Sequence, residues 1–385
     1  MRLGIDARAL LLDQPTGVER AVFHFADSLS RAAPPELELF FFIDRPAQGR
    51  PLPALPGPLV VRPLRAPRLQ RCADLWIALQ MRAAVKELQL DAFLSLNTKF
   101  PLGVPASFAT VHGLEWAFHP AGYRLRERVK QWVWFQLCSR MCAGLITFSR
   151  HTHADLLRLR PGCRLPVCVV PEGVGPAFRR LSPSEVDARA LERLGVRRPF
   201  VLSVCSHEPR KNLDALIRAF ALLGDELGGA HQLVLVGRAG WRSARLARAA
   251  RDCGVADRVL MPGYVSDAEL LQAYNQAAAF VYPSLYEGFG LPLLEAMACG
   301  TPVVTSRGGA TEEVAAGAAL LVDPRSDADV AAGLARCLGD ADLRRDLVAA
   351  GRARAQAASW DAMAAGMCAF VLQTAGAARA QAAAR

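Results

Sequence analysis

The sequence predicts an α/β protein of two domains, each an open sheet of strands flanked by helices. Three observations carry this expectation. The chain has 385 residues, which is long for a single hydrophobic core. Short apolar runs of strand length alternate with amphipathic stretches of helix length from end to end. The run Ala277–Val281 is followed by YPSLYEGFGLPLLEAMACGTP, residues 282–302, which reads as strand, glycine-rich turn and helix. Pro292 suits the first turn of that helix, where its missing N–H costs nothing, and Gly300 with Pro302 closes it. In an open α/β sheet, ligands bind where a strand hands over to a helix N-terminus, because unpaired backbone N–H groups face outward there.

In the first half, Leu3 to Asp6 reads as a strand, followed by the loop Asp13 to Gly17. A helix from Val18 carries Ala21, Val22, Phe25 and Leu29 on one face. Further strands are expected at 37–43, 59–61, 92–96, 108–111 and 145–148, with helices at 73–89, 124–142 and 151–158. The Pro-rich piece 46–67 reads as a surface connection. A helix from about Ser182 to Leu194 bridges to the second half. There FVLSVCSHEPRKNLDALIRAF begins at Phe200 as a strand, passes through His207–Asn212, and enters a helix with Leu213, Leu216, Ile217 and Phe220 inside. Strand Gln232–Val236, turn GRAGW at 237–241, helix 243–253, strand Val259–Met261 and PGYVSD at 262–267 follow. Strands at 302–305 and 319–322, helices at 326–338 and 341–357, and a last helix from Ser359 and Trp360 complete the chain. The expected domains are 1–180 and 181–358, with 359–385 as a terminal helix and tail. The Ala/Arg-rich stretch 375–385 is expected to fray.

Composition narrows the function classes. Hydrophobic residues make up 52% and no low-complexity tract precedes the tail, so the chain is globular. MRLGID reads as a strand rather than a signal peptide, and no run reaches the ~18 apolar residues of a membrane span. Ten cysteines are scattered without zinc-knuckle spacing, which suits free thiols in a cytoplasmic protein. The net charge of +10 lies in the first half: residues 1–180 hold 24 Lys and Arg against 14 Asp and Glu. A basic half suits an anionic surface or substrate, and no nucleic-acid reader motif accompanies it. Segment 123–135, YRLRERVKQWVWF, sets Arg124, Arg126, Arg128 and Lys130 just before Trp132 and Trp134, a composition suited to an anionic membrane surface. The competing reading makes Val129 and Trp132 core and the cations a solvated face spread over two helix sides.

Candidate site residues come from positions that are awkward for structure alone. Glu295 sits among Leu293, Leu294, Ala296, Met297 and Ala298, so its carboxylate needs a partner. Glu287 lies in the glycine-rich turn. Paired glycosidase carboxyls would have to face each other across ~5–9.5 Å, whereas eight helical residues rise about 12 Å, so two separate roles fit better. Arg210 and Lys211 precede a helix start, where the positive helix end disfavours cations, and a bound anion would resolve that conflict. Gly17 offers flexible backbone at a helix start, and His112 ends an apolar strand. The triplets Asp327/Asp329 and Asp340/Asp342 read as helix N-caps rather than metal ligands. No G-x-G-x-x-G follows a strand, and no hydrolase nucleophile motif appears.

The wording EGFGLPLLEAMACGTPVV closely resembles the signature of glycosyltransferase family 4, the retaining group with the GT-B fold. The resemblance runs from about Leu3 to about Thr374 and is strongest over 199–324. It implies two Rossmann-like domains facing a central cleft, with a C-terminal helix crossing back to the first. It implies that Glu295 holds the ribose of a nucleotide sugar, and that Glu287 with the backbone of Gly288, Phe289, Gly290 and Leu291 holds the transferred sugar. It places Lys211 on the donor diphosphate, Gly17 backbone beside it, the base near Gly263 to Val265, and His112 against the donor sugar from the first domain. The family often has Arg six residues before the Lys. This chain has Cys205 there, and Arg210 is the candidate replacement. It also has Gly113 where many members have Asp, and Glu172 where Asn is usual. The combination EPRKN, VGRAGW and SLYEGFGLP resembles members that use GDP-mannose or related GDP-deoxyhexoses in bacterial polysaccharide and O-antigen assembly. The implied function is hexosyl transfer from a nucleotide-diphosphate sugar to a glycan or polyprenyl-diphosphate-linked glycan. No cofactor or metal is expected, and the implied location is cytoplasmic or peripheral on the inner membrane face. The alternative is a catalytically silent sugar-nucleotide-binding subunit of a polysaccharide assembly complex, suggested by Cys205 and opposed by Lys211, Glu287 and Glu295.

Overall fold

The computed structural model describes residues 1–11, 17–47, 52–62, 74, 77–78, 81–104, 106–224, 231–238 and 243–383. The expected loop at 13–16, residues 239–241 of the GRAGW turn, and parts of segments 46–67 and 73–89 lie outside them. The chain forms two compact units. One comprises Met1–Ala117, Arg124–Glu172 and Ser359–Arg385, and the other Phe118–Tyr123 and Gly173–Ala358.

The first unit is built on seven strands: β1 (Arg2–Asp6), β2 (Glu38–Ile43), β3 (Leu59–Val61), β4 (Ala92–Ser95), β5 (Ser107–Val111), β6 (Gly144–Thr147) and β7 (Val167–Val169). They lie in the order 3-2-1-4-5-6-7, all parallel. Helices cover both faces of a parallel sheet, so its strands read as continuous apolar runs such as LFFFI in β2. The helix Gly17–Ala32 turns Ala21, Val22, Phe25 and Leu29 inward, as its spacing predicts. The C-terminal helix Trp360–Ala383 belongs to this unit. Trp360 stacks on His24 with ring centroids 5.1 Å apart, and Phe370 meets Phe108 edge-on at 5.9 Å. A Cβ on Gly144 would lie 2.7 Å from the Phe370 ring, so glycine in mid-strand is what lets this helix seat.

The second unit has six strands: β8 (Phe200–Val204), β9 (Gln232–Val236), β10 (Val259–Gly263), β11 (Ala279–Tyr282), β12 (Val303–Ser306) and β13 (Leu320–Val322). Their order is 10-9-8-11-12-13, again all parallel. The strand order reverses between β8 and β11, so the loops leaving those two strands diverge and open a crevice at their carboxyl ends.

Several elements depart from the sequence reading. The helix expected over 182–194 is broken. Pro183–Glu185 forms a single 3-10 turn in which Glu185 accepts the Ser182 N–H at 2.9 Å, and Ala188–Glu192 restarts under an Asp187 cap. Two sets of capping residues so close together end one turn and begin another. Helices Asp267–Gln276 and Gly309–Ala315 were not anticipated. The terminal helix runs to Ala383, in keeping with the helix propensity of its alanines. Among the described residues, no helix is long and apolar enough to cross a membrane.

Candidate active site

Strand β8 runs out at Val204, and Cys205 still pairs its N–H with Val236 O at 2.9 Å. Gly237 makes this closeness workable, because a Cβ there would lie 1.9 Å from Cys205 O. A 3-10 turn, Pro209–Lys211, then presents the two cations, and Asn212 follows in the left-handed region at φ 61°. Asn212 is the knot of the site edge. Its Nδ2 donates to Pro283 O at 3.2 Å and Pro324 O at 2.6 Å, tying the loop after β8 to those after β11 and β13.

Strand β11 ends at Tyr282 and releases the turn that carries Glu287. Leu285 N–H donates to Arg210 O at 2.7 Å, which lays the two loops side by side. Lys211 is buried, and its Nζ donates to Tyr282 Oη at 2.7 Å and to Glu287 Oε1 at 2.6 Å. Arg210 donates from Nη1 to Glu287 Oε2 at 2.9 Å and from Nε to Glu208 Oε2 at 3.0 Å. Both carboxylate oxygens of Glu287 therefore face a cation. Burial alone would push the Glu287 carboxyl up, but Lys211 and then Arg210 outweigh it and hold it at about 2. Glu287 is thus a permanent carboxylate near neutrality and not a proton donor. It is also the anion that reconciles Arg210 and Lys211 with the helix start behind them. The ammonium of Lys211 has three N–H donors, and two of them meet these acceptors among the described residues. Burial pushes the Cys205 thiol up to about 12, so it brings no charge.

Past Glu287, Gly290 adopts φ 117° and caps helix Leu291–Ala298, a conformation that favours glycine. Glu295, on that helix, is buried and accepts Tyr274 Oη–H at 2.8 Å on Oε2. Tyr274 comes from helix Asp267–Gln276, one of the elements the sequence reading missed. At the end of β10, Gly263 O accepts Gly237 N–H at 2.9 Å and Val265 is buried. Tyr286, whose carbonyl accepts from Arg210, stacks its ring on Phe118 of the same unit, with centroids 6.0 Å apart.

The second unit therefore brings Arg210, Lys211, Glu287, Gly288, Phe289, Gly290, Leu291 and Glu295 to the loops and helix following β8 and β11. Gly263 and Val265 lie at the end of β10. His112 and Gly17 belong to the first unit. There His112 Nε2–H donates to Leu96 O at 3.1 Å, and Nδ1 lies 3.8 Å from Glu172. Gly17 opens helix Gly17–Ala32 and is exposed. Asp6, at the end of β1, holds Arg8 through two contacts of 2.8 and 2.7 Å. Of the acidic triplets, Asp340 is an N-cap, accepting from Asp342 and Leu343 N–H. Ser326, not an aspartate, caps the other helix, and Asp327 pairs with Arg218.

Residues 187–354 match the family model described as glycosyl transferases group 1. Over that stretch the chain is similar to the group 1 glycosyl transferases. Proteins similar to this chain include O-antigen chain mannosyltransferase B of Escherichia coli, 38% identical over 42% of this chain and 42% of that protein. A GDP-mannose-dependent alpha-(1-6)-phosphatidylinositol monomannoside mannosyltransferase of Mycobacterium tuberculosis is 36% identical over 52% of this chain and 54% of its own length. The chain spans about half the length of these curated relatives. In fold it is similar to sucrose-phosphate synthase from Thermosynechococcus elongatus, with TM-score 0.74 and 22% identity, covering 98% of this chain and 100% of that one. The two parallel sheets are those of the GT-B fold.

Proposed function

We propose that this protein is a retaining glycosyl transferase that moves a hexose from a nucleotide-diphosphate sugar to a hydroxyl of a glycan or lipid-linked glycan. The observation that carries the reading is the pairing of Lys211 and Arg210 with Glu287 where the strand order reverses, one turn before a glycine-capped helix start. Glu287 holds the two cations in place before any ligand arrives. A diphosphate would take the third Lys211 N–H, and the fixed positive charge would count most as negative charge grows on the departing phosphate. Glu287, staying ionised, would accept a sugar hydroxyl, and Gly288 to Leu291 would offer backbone N–H groups. Glu295, oriented by Tyr274, would accept the ribose hydroxyls, with the base near Gly263 to Val265.

In the transfer, the bond from the anomeric carbon to the phosphate oxygen breaks and its electron pair stays on that oxygen. The acceptor oxygen bonds the same carbon on the same face, and its proton passes to the departing phosphate. We assign donor binding to residues 181–358 and acceptor binding to 1–180, where His112 is the catalytic candidate and Gly17 the backbone one. GDP-mannose is the favoured donor, by likeness to the mannosyltransferase relatives, and no metal takes part in this scheme.

A panel of nucleotide sugars tests the reading by thermal shift and by release of nucleoside diphosphate. GDP-mannose at a hundred times its Kd should stabilise the protein by ~2.7 kcal/mol, and Glu295→Ala should weaken that binding about tenfold or more. No stabilisation and no turnover with any GDP-, UDP- or dTDP-sugar would overturn it.

A further inference from the structure

We propose that helix Leu125–Met141 docks the first unit on an anionic lipid bilayer. This helix is apolar on two sides. One side, with Trp134, Phe135 and Cys138, is buried in the unit. On the other, Leu125 is 72% exposed, Val129 52%, Trp132 53% and Val133 41%. Counted from Leu125, the other three follow at offsets of four, seven and eight, which places all four on a single stripe over about two turns. A helix that needed only to cover the core would carry polar residues there. The sequence reading left Val129 and Trp132 open as core residues, and their exposure removes that option.

The charges around the stripe select its occupant. By the 3.6-residue turn, Arg126 and Arg128 fall on its two flanks, and Arg140 lies near its far end. The neighbouring acids are occupied. Glu127 accepts the Arg124 backbone N–H at 3.1 Å, and Asp74 is held by Lys99 at 3.0 Å and Lys130 at 2.7 Å. An indole with aliphatic neighbours between two arginines matches the boundary between headgroups and acyl chains. The +10 excess of residues 1–180 supplies the longer-range attraction.

Flotation of the full-length protein with phosphatidylcholine vesicles, with and without phosphatidylglycerol, tests this. The protein should float with the anionic vesicles, and high salt should release it. The double variant Leu125→Ser/Trp132→Ser, and separately Arg126→Glu, should each lower vesicle binding on the order of tenfold. All three side chains are exposed, so the variants should keep the parent's thermal midpoint, which is measured alongside. Binding that ignores lipid charge, no binding at all, or binding unaffected by these variants would overturn the proposal. So would a parent dimer that the double variant turns into a monomer in sedimentation, because a second copy would then be the occupant.

Discussion

Glu287 shares its two oxygens between Lys211 and Arg210, so changing one atom of it disturbs three charges. Its carboxyl, held at about 2, lies below the ordinary 4.5. Between those values the folded protein binds fewer protons than the unfolded chain, so stability rises with pH across that window. The contribution of Glu287 is complete above about pH 4.5 and is lost as pH falls toward 2. Glu287→Gln should therefore cost about 3 kcal/mol at neutral pH, where it strands buried cations, and almost nothing near pH 2. Urea unfolding of parent and variant across pH 2–7 measures this, and a pH-independent difference would contradict the ion-pair assignment. Lys211→Ala should lower turnover more than donor affinity, because its charge matters most in the transition state. Equal losses in kcat and in donor binding, from kinetics and calorimetry, would place Lys211 in ground-state binding instead. Lys211 and Glu287 were legible as separate oddities, one a cation at a helix start and the other an acid in a glycine turn. That each is the other's partner was not, because 76 residues separate them and it takes the parallel pairing of β8 with β11 to bring their loops together. Tyr274 and Tyr282 were invisible for the same reason. Neither drew a reading of its own from the sequence, and only the structure aims their hydroxyls at Glu295 and Lys211.

The strands were the easiest elements to read, because a parallel sheet covered on both faces demands unbroken apolar runs and β8, β9 and β11 supply them. Helices that begin in a cap rather than in an apolar face were harder. Asp267–Gln276 announces itself only by Ser266, whose hydroxyl accepts Glu269 N–H at 3.3 Å while Glu269 answers the Ser266 N–H at 2.8 Å. The bridge 182–194 looked continuous because its composition is helical throughout, yet Pro183 and Asp187 each start a new turn. Between elements, Asn212 matters more than its loop position suggests. It takes the left-handed conformation and supplies two hydrogen bonds to carbonyls of other loops. Asn212→Ala should destabilise by about 3 kcal/mol, from two bonds and the strained backbone together. Asn212→Gly should recover about 1 kcal/mol of that, because only the backbone strain is relieved. Denaturant midpoints of the two variants separate the terms, and equal values would show that the conformation at 212 costs nothing.

At the scale of the whole molecule, length and the strand–helix alternation signalled two sheets. The return of the C-terminal helix to the first unit came only from the family resemblance, since nothing in its own pattern names the surface it covers. In the structure Trp360, Met363, Met367 and Val371 are all buried, and the helix seats against Gly17–Ala32 and β6. Burying each such side chain contributes about 1.5–3 kcal/mol, so their sum is on the order of the net stability of a domain. A chain ending at Ala358 should therefore lose the cooperative unfolding of its first unit and expose that unit to protease. The second unit contains the proposed donor contacts and none of the deleted residues. It should keep native-like hydrogen-exchange protection in β8, β9 and β11, and it should still be stabilised by the nucleoside diphosphate that stabilises the full chain. Exchange mass spectrometry of the truncated protein with and without that ligand reads both units in one experiment. A first unit that stays protected would mean the helix is an accessory, whereas loss of ligand protection in a second unit that remains folded would move part of the donor site out of it.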